Sequence, residues 1–383
     1  MPAPKKKNYN QLALSLHKKL QGKLEIVSKG KLKTVDDWST MYSPGVGAVS
    51  AHLAKKPADA RKYTIKRNSV AVVSDGSAVL GLGNIGPYGA LPVMEGKAAI
   101  FKEMAGVDAW PIVLSTQDPD EIVAAVTAIA PGFGGINLED IAAPHCFEIE
   151  ERLRAALDIP VFHDDQHGTA IVVTAGLINA AKVVKKPFSS LRVVILGAGA
   201  AGRAITLLLK QAGVEDIVVT DRKGILHPDR SALAGYKKEL AKYTNPRQLE
   251  GDALVATAGA DVLIGVSGPG TVSKLHIEQM AESAIVFALA NPIPEIKPED
   301  ATLAGAAVVA TGRSDYPNQV NNSLVFPGVF RGALDRGITD ITDAMKLKAA
   351  KKLASLVKTP TAKKVIPGVM DAGVVEAIAR SIR

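Results

Sequence analysis

The chain contains almost no cysteine and few aromatic residues. Cys146 is the only cysteine, so an intramolecular disulfide and a cysteine-rich metal site are both excluded. Aromatic residues make up only 4% of the 383 residues, whereas 34 residues are glycine. This composition is typical of α/β proteins with close helix–sheet packing, and it argues against a β-sandwich or a disordered chain.

Long apolar runs and clustered charge are also missing. The apolar runs are too short to span a bilayer, and the basic first ten residues lack the apolar core of a signal peptide. We therefore predict a cytoplasmic protein with no membrane partner. The net charge is +8, but apart from residues 5–7 the basic side chains are dispersed, so no nucleic-acid partner is expected. The charge would instead attract anionic small molecules or aid solubility.

The length of the chain favours two domains over a single core. The predicted fold class is α/β, with two open α/β domains and an active site in the cleft between them. We assign residues 1–166 to a substrate and metal domain. Residues 167–383 are assigned to a Rossmann-type dinucleotide-binding domain with C-terminal helices. The sequence also predicts an amphipathic helix over residues 10–30, placed to contact a partner subunit, and a β-hairpin over residues 69–80.

Two apolar strands end in adjacent acids. Residues 161–163 lead into Asp164 and Asp165, and residues 135–138 lead into Glu139 and Asp140. A right-handed β-α-β connection would place these two strand ends side by side. The simpler interpretation of Asp164 and Asp165 is a helix N-cap beside a solvated neighbour. If Glu139, Asp140 and Asp165 instead meet in one pocket, their three oxygen ligands suit Mg²⁺ or Mn²⁺.

A glycine motif at residues 197–202 follows a strand, precedes a helix and is followed about 20 residues later by an acid at a strand end, Asp221. This context predicts that a dinucleotide pyrophosphate binds at Gly197, Ala198, Gly199, Ala200, Ala201 and Gly202. Asp221 would accept hydrogen bonds from the ribose of NAD, whereas Arg222 and Lys223 could pair with the 2′-phosphate of NADP. A similar motif at residues 81–86 lacks the following helix, and we interpret it as a glycine-rich wall beside a ligand.

Four further residues are candidates for contacts with a ligand. A predicted helix over residues 94–105 places Lys97 in its first turn, where a nearby cation would lower its pKa and make it a base. The alternative is a surface lysine whose stem lies along the protein. Tyr42 precedes a Pro-Gly turn and would ordinarily only pack. Asn291 and Asn322 lie in loops after strands, where amides either bind a ligand or simply form turns.

Together these motifs resemble the malic enzymes of the small-subunit prokaryotic branch. The resemblance extends from Tyr42 to about Gly337. It is carried by Tyr-Ser-Pro-Gly-Val at 42–46, Asp-Gly-Ser-Ala-Val-Leu-Gly-Leu-Gly-Asn at 75–84, Glu-Gly-Lys-Ala-Ala-Ile-Phe-Lys at 95–102, Asn-Leu-Glu-Asp at 137–140, Phe-His-Asp-Asp-Gln-His-Gly-Thr-Ala at 162–170 and Asn-Asn-Ser-Leu-Val-Phe-Pro-Gly at 321–328.

The resemblance implies oxidative decarboxylation of (S)-malate to pyruvate and CO₂ with reduction of NAD⁺ or NADP⁺, decarboxylation of oxaloacetate, and a homodimer. The implied roles are metal ligands for Glu139, Asp140 and Asp165, general base for Lys97, general acid for Tyr42, orientation of Lys97 for Asp164, cofactor binding for residues 197–202 and Asp221, and substrate or nicotinamide contacts for Asn291 and Asn322. One position departs from the larger eukaryotic relatives, which carry an arginine where this chain has Ala78. In this chain another group must therefore bind the malate carboxylate that the arginine contacts in those relatives.

Two other functions share part of this pattern. An amino-acid dehydrogenase has a similar two-domain layout but needs no metal, so the carboxylates argue against it. A non-catalytic NAD(P)-sensing protein that binds nucleic acid would need a clustered basic face and would have no use for Lys97 or Tyr42.

Overall fold

The structure is a computed structural model that describes residues 9–383 apart from Ala232 and Ala234. It contains two sheets, connected and covered by helices, as the predicted fold class requires. The α-helices are α1 (Tyr9–Leu20), α2 (Val35–Met41), α3 (Val46–Lys55), α4 (Ala60–Tyr63), α5 (Gly86–Ala105), α6 (Pro119–Ile129), α7 (His145–Ala156), α8 (Asp164–Val183), α9 (Ala200–Gln211), α10 (Tyr236–Tyr243), α11 (Ala253–Thr257), α12 (Lys274–Glu278), α13 (Pro298–Leu303), α14 (Phe326–Arg336), α15 (Asp343–Ser355) and α16 (Val374–Ser381).

The first sheet is entirely parallel and has the order β2-β1-β3-β4. Its strands are β1 (Ser69–Ser74), β2 (Asp108–Val113), β3 (Gly135–Leu138) and β4 (Val161–His163). The hairpin predicted over residues 69–80 is wrong, because β1 pairs in parallel with β2 and β3. The chain turns after β1 instead, and the carbonyl of Gly76 accepts hydrogen bonds from the amides of Ile85 and Gly86.

The second sheet has the order β10-β9-β8-β5-β6-β7. Its strands are β5 (Arg192–Leu196), β6 (Asp216–Asp221), β7 (Gly224–Ile225), β8 (Val262–Gly265), β9 (Ile285–Ala288) and β10 (Val308–Thr311). Five of these strands run parallel, and only the short edge strand β7 is antiparallel. β5 and α9 flank the glycine motif at residues 197–202, as the Rossmann-type prediction requires.

Helix α5 begins at Gly86, well before the predicted start at residue 94. Gly89 and Pro92 both disfavour a helix locally, and Pro92 lies inside it. Tertiary packing outweighs this local preference, because the buried face formed by Ala90, Met94, Lys97, Ala98 and Phe101 covers the first sheet. Lys97 therefore lies in the middle of a helix and not in its first turn.

Helix α8 continues directly from β4 and begins at Asp164. After its polar first turn it is mostly apolar, and most of its residues are buried, as expected for a helix enclosed by protein. It packs along α9 and α15. The helix thus passes without a break through residue 166, the end of the first domain as assigned from the sequence.

The C-terminal segment returns to the first sheet. On α14, the ring centroid of Phe326 lies 4.7 Å from that of Phe101, and Phe330 lies 5.4 Å from Phe101 and 6.0 Å from Phe162. A side chain at Gly135 would approach Phe330 to 2.9 Å, so glycine allows this close contact. Aromatic rings from α14 thus complete the core beside Lys97.

The amino-terminal segment contrasts with the rest of the chain. From residue 9 to residue 68 no residue is buried, although α1 to α4 lie in this stretch. Helix α1 ends at Leu20, where Gln21 and Gly22 have positive φ angles, so the prediction of a helix to residue 30 is wrong in its second half. Within the described residues, no helix is long and apolar enough to cross a membrane.

Candidate active site

Two strand ends of the first sheet bring four acids together. Glu139 and Asp140 follow β3, and Asp164 and Asp165 open α8 directly after β4. Glu139, Asp140 and Asp165 each offer one carboxylate oxygen, and these atoms lie within 4.8 Å of one another. The structure therefore gathers the three side chains that were predicted to share a pocket.

The backbone at Asp140 is shaped for this arrangement. Its φ angle of 54° lies in the left-handed region that non-glycine residues rarely adopt. Its amide donates a hydrogen bond of 2.7 Å to Oδ2 of Asp165, which ties the end of β3 to the start of α8. Strained backbone of this kind is concentrated at functional sites, where the surrounding structure maintains it.

The cluster carries more negative charge than the protein neutralises. Burial, followed by the charge of Asp165, raises the pKa of Asp140 to about 8. The same two causes, in the same order, raise the pKa of Glu139 well above its ordinary value. Within the described residues, Oδ2 of Asp140 is buried without a hydrogen-bond partner. Three converging carboxylates with spare lone pairs fit a hard divalent cation, so the residues present suit Mg²⁺ or Mn²⁺.

Lys97 faces the cluster from α5. Its Nζ lies 2.9 Å from Oε1 of Glu139, also donates to Oδ2 of Asp164, and stands 4.2 Å from the centre of the Phe326 ring. The side chain is buried, which excludes the alternative of a surface lysine. Gly168 makes room for Asp164, since a Cβ there would lie 1.8 Å from its Oδ1.

The expected lowering of the Lys97 pKa is not what the structure shows. Burial acts to lower this pKa, but the charges of Asp164, Glu139 and Asp165 outweigh it and raise the pKa above its usual value. The prediction placed Lys97 at a helix terminus beside a cation. The side chain instead lies in mid-helix, and the nearest protein charges are acids.

A buried acid that the sequence interpretation missed supports the start of α8. Oε1 of Glu150, on α7, accepts from the amide of His163 at 3.0 Å, and its Oε2 accepts from Nε2 of Gln166 at 3.1 Å and lies 2.9 Å from Nε2 of His167. His167 is thus held by a hydrogen bond with Glu150. Glu150 lies on the buried face of α7 with Ile149, and an acid on an apolar helix face was the available signal.

The glycine loop of the second sheet has the geometry of a dinucleotide site. Gly197 has a φ angle of 118°, and a side chain there would collide with the carbonyl of Val266 at 2.4 Å. A side chain at Gly202 would lie 1.8 Å from the carbonyl of Gly197, so glycine allows α9 to pack closely on the strand. A side chain at Gly199 would meet nothing within 4 Å, which leaves open space over the start of α9. Helix amino termini of this kind bind phosphates.

Asp221 ends β6, but two cations already engage its carboxylate. Its Oδ2 accepts from Arg230 and from Lys237, each at 2.8 Å. Burial acts in the opposite direction, yet hydrogen bonds from Arg230 and Lys237 lower the pKa of Asp221 to about 2. Arg222 and Lys223, which follow it, are exposed. The position therefore combines an acid with several cations, and the sequence had pointed only to the adjacent pair.

The two candidate asparagines lie near the acids and the glycine-rich loop. A side chain at Gly81 would collide with the backbone carbonyl of Asn291 at 2.1 Å, so the loop after β1 touches the loop after β9. The glycines at 81–86 thus permit contact between the two sheets' loops, where we had expected a ligand. Asn322 lies beside Gly168, from which an added Cβ would stand 3.1 Å away. Asn321 is a turn former, since its side chain accepts from the amide of Ser323.

A second missed acid supports the Asn291 loop. Glu295 is fully buried and accepts from the amides of Ser267 and Ala290, each at 3.0 Å. Ala78, the position of the absent arginine, is half-buried, and its amide donates to the carbonyl of Asp140. Tyr42 is 65% exposed and is not among the residues that the structure brings to the cluster.

Comparison with known protein families accounts for both halves of this site. A family model described as the N-terminal domain of malic enzyme matches residues 21–154, and one described as the NAD binding domain of malic enzyme matches residues 166–382. The chain belongs to the malic enzyme family. Malic enzymes oxidatively decarboxylate malate, with NAD or NADP as the oxidant and a divalent metal.

Individual relatives cover nearly the whole chain. It is 56% identical over 363 residues to the NAD-dependent malic enzyme of Geobacillus stearothermophilus, covering 94% of this chain and 76% of that relative. It is 54% identical to the bifunctional malic/malolactic enzyme of Bacillus subtilis (strain 168), with 97% and 91% covered. The crystal structure of the NAD-dependent malic enzyme from Thermotoga maritima superposes with a TM-score of 0.94 at 47% identity, covering 97% of this chain and 98% of that one. The predicted family and fold class are thus confirmed.

Proposed function

We propose that this malic enzyme family member converts (S)-malate to pyruvate and CO₂ while reducing NAD⁺ or NADP⁺, and that it also decarboxylates oxaloacetate. The observation that carries the proposal is the buried carboxylate triad of Glu139, Asp140 and Asp165 in contact with Lys97. The loop contact between Gly81 and Asn291 supports a cleft in which the carboxyl ends of both sheets meet. Substrate and nicotinamide would meet in that cleft.

We assign the metal-binding role to the triad and the dinucleotide-binding role to residues 197–202 with Asp221. When bound, a divalent cation supplies Lewis-acid polarisation of the oxygen on C2, and the nicotinamide accepts the hydride from C2. The domain assignment at residues 1–166 and 167–383 is retained as part of the proposal. It agrees with the positions of the triad in the first range and of the glycine loop in the second.

The protein's own groups move two protons. In its deprotonated form, Nζ of Lys97 takes the proton of the C2 hydroxyl as the hydride leaves, and Asp164 holds that amine in place. A divalent cation held by the triad would offset the carboxylate charges that otherwise raise the pKa of this amine. The bond between C3 and C4 then breaks, C4 departs as CO₂, and the electron pair remains on the three-carbon enolate. Tyr42 returns a proton to C3 to give pyruvate. Each such proton transfer contributes about 10²–10⁴-fold to the rate.

Asn291 and Asn322 are proposed to orient the substrate and the nicotinamide. Asn322 stands beside Gly168 at the turn that carries Asp164, so its amide lies near the acids. Because Asn321 is occupied as a turn former, Asn322 is the better candidate of the two neighbours. We also propose a homodimer, since Leu12, Leu16 and Leu20 on α1 are more than half exposed.

The test is formation of NADH or NADPH with malate in the presence of Mn²⁺ or Mg²⁺. Lys97→Ala is expected to lose most turnover with little change in cofactor binding. Lys102→Ala is the matched control, because Lys102 lies on the same helix but is exposed and pairs with Asp108. Near-normal turnover of Lys97→Ala would refute the base assignment. Oxidation of an amino acid that needs no metal would instead favour the dehydrogenase alternative.

A further inference from the structure

Tyr42 is out of place for the role assigned to it. Its side chain is 65% exposed, and among the described residues no hydrogen bond reaches its hydroxyl group. The described hydrogen bonds of Tyr42 involve only its backbone, with the carbonyl of Trp38 and the amide of Val46. A group that protonates a carbon beside Lys97 has to reach the triad.

The chain after Tyr42 leads to the wrong end of the first sheet. Nζ of Lys66 donates to the carbonyl of Phe133 at 2.9 Å, just before β3 begins. Upstream of it, Arg61 donates to the carbonyl of Leu334 at 2.7 Å, near the end of α14. These contacts hold the segment at the amino-terminal ends of the strands, whereas the acids lie at the carboxyl ends. A strand the length of β1 separates the two ends by roughly 17 Å.

The residues shortly before Tyr42 lie at the same end, although Lys23, farther upstream, donates to the carbonyl of Pro92 within α5. Burial acts to raise the pKa of Asp108, but hydrogen bonds and the charges of Lys102 and Lys29 lower it, which places Lys29 near the first residue of β2. A side chain at Gly30 would then lie 2.5 Å from Cε of Met41, the residue that precedes Tyr42. The described contacts on both sides of Tyr42 therefore connect its segment to the end of the sheet opposite the acids of its own subunit.

The same segment exposes more apolar surface than an isolated subunit usually tolerates. Tyr9, Trp38, Tyr42 and Tyr63 are each 54% to 68% exposed, and at roughly 200 Å² per aromatic side chain they leave on the order of 400–600 Å² uncovered. That area already equals the largest apolar patch of an ordinary monomer. Further exposed apolar residues of the segment are Leu12, Leu14, Leu16, Leu20, Ile26 and Val35. We call residues 9–65 the amino-terminal apolar segment.

A second copy of the chain would account both for the position of Tyr42 and for the exposed amino-terminal apolar segment. A stable dimer needs about 800 Å² from each subunit, which this segment can supply. Residues 1–8 include three lysines and offer little apolar surface to cover it. A symmetric dimer through this segment would also place each Tyr42 at the subunit contact, and among the described residues no tyrosine hydroxyl is hydrogen-bonded to the triad.

From this placement we infer that each active site is shared, with Tyr42 of the partner subunit acting beside Lys97 and the triad. The inference rests on the proposed function and adds to it, because Lys97 and Tyr42 then work across the subunit contact. An isolated subunit would hold the metal and the cofactor but would lack the group that protonates C3.

Mixed dimers test this directly. Tyr42→Phe and Lys97→Ala chains carrying different affinity tags are co-expressed, and dimers with one chain of each kind are isolated on both tags. If the site is shared, one of the two sites in the mixed dimer has both wild-type groups. Its activity with malate should then reach about half that of the wild type and exceed either parent by at least about tenfold. If both groups come from one chain, both sites are defective.

The outcomes separate the inference from the proposed function. No malate-dependent NAD(P)H formation by the wild type would refute the proposed function itself. An active wild type with mixed dimers as inactive as their parents would overturn the shared site, as would near-normal activity of Tyr42→Phe. Tyr63→Phe is the control, since it retains an exposed aromatic ring in the same segment and should remain active.

A second measurement covers the case in which mixed dimers are not recovered. Trp38→Glu places a charge in the amino-terminal apolar segment and should give a monomer by light scattering. That monomer should bind Mn²⁺ and NAD like the wild type but turn over malate at least about a hundredfold more slowly. A monomer that binds both and retains full turnover would overturn the inference.

Discussion

Glu150 is predicted to fix the start of α8, and with it the metal site, without touching the metal. Its carboxylate accepts from the amide of His163 and from Nε2 of Gln166, and it pairs with His167. These three residues surround the acids that begin α8. Glu150→Gln retains the size of the side chain and removes its charge, so it tests support by hydrogen bonding rather than packing.

The expected loss in the free energy of unfolding of Glu150→Gln follows from the number of hydrogen-bond donors that lose their acceptor. A glutamine oxygen can replace only one of the two carboxylate oxygens, and its NH₂ group cannot accept from the donors that the other oxygen served. Each buried donor left unsatisfied costs about 1–3 kcal/mol, so the free energy of unfolding should fall by roughly 2–4 kcal/mol. The pKa agrees in direction: burial opposes the shift, but His167, followed by His163 and Lys346, lowers the pKa of Glu150 from 4.5 to about 2.

The sign of the pKa shift sets the assay conditions. Because the pKa of Glu150 is lower in the folded state, its contribution to stability is complete above pH 4.5 and is lost as the pH falls toward 2. Stability is therefore compared at pH 7 by urea denaturation of the metal-free protein. Glu148→Gln is the matched control, since Glu148 lies on the same helix in an exposed ion pair with Arg152, and it should cost less than about 1 kcal/mol.

The Mn²⁺ affinity of Glu150→Gln shows whether Glu150 positions the metal ligands or only stabilises the fold. If Glu150 holds the start of α8 in place, the Mn²⁺ concentration for half-maximal activity should rise about tenfold or more in Glu150→Gln. The KM for the dinucleotide should change little, because the glycine loop lies on the second sheet. A variant as stable as wild type, or one destabilised with unchanged Mn²⁺ dependence, would refute the reasoning.

Three further changes test the rest of the site. Asp165→Ala should abolish Mn²⁺-dependent turnover, and activity of the wild type that survives a chelator would contradict the metal assignment. Asp164→Asn removes a charge that raises the pKa of Lys97; the acidic limb of log kcat/KM against pH, where the base must be unprotonated, should then move down by about 1–3 pH units, and an unmoved limb would count against this role. Asp221→Ala frees Arg230 and Lys237 to bind a 2′-phosphate. The ratio of kcat/KM for NADP to kcat/KM for NAD should therefore rise at least about tenfold, and a fall in that ratio would disprove the assignment.

The positions of the acids could be predicted because they depend on connectivity. Parallel strands joined by a right-handed crossover end at the same edge, so acids that follow β3 and β4 must be neighbours. The glycine motif was predictable for the same reason, since strand, loop, helix and acid occur in the required order. In both cases a short stretch of chain determines the geometry.

Features that depend on distant parts of the chain could not be predicted in the same way. Local preference places the start of α5 after Pro92, whereas burial against the first sheet extends the helix back to Gly86. The electrostatic setting of Lys97 depends on acids that are distant in sequence, so its mid-helix position and raised pKa followed only from the fold. Glu150 was overlooked because its partners lie on the next strand and helix.

The Asp221 environment shows why cofactor preference is harder to predict than cofactor binding. An acid at the end of β6 favours NAD when it is free to accept from the ribose. Here Arg230 and Lys237, which come later in the chain, already occupy its carboxylate. A mixed cluster of charges at this position suits a family whose members use either NAD or NADP.

Helix α8 links the two halves of the reaction. Its first turn carries Asp164 and Asp165, and its length packs along α9, whose amino terminus begins within the glycine loop. A displacement of α8 would therefore move the proposed metal ligands relative to the proposed dinucleotide site, and hydride transfer depends steeply on that distance. The contacts of Glu150 at the start of this helix then matter for turnover as well as for stability.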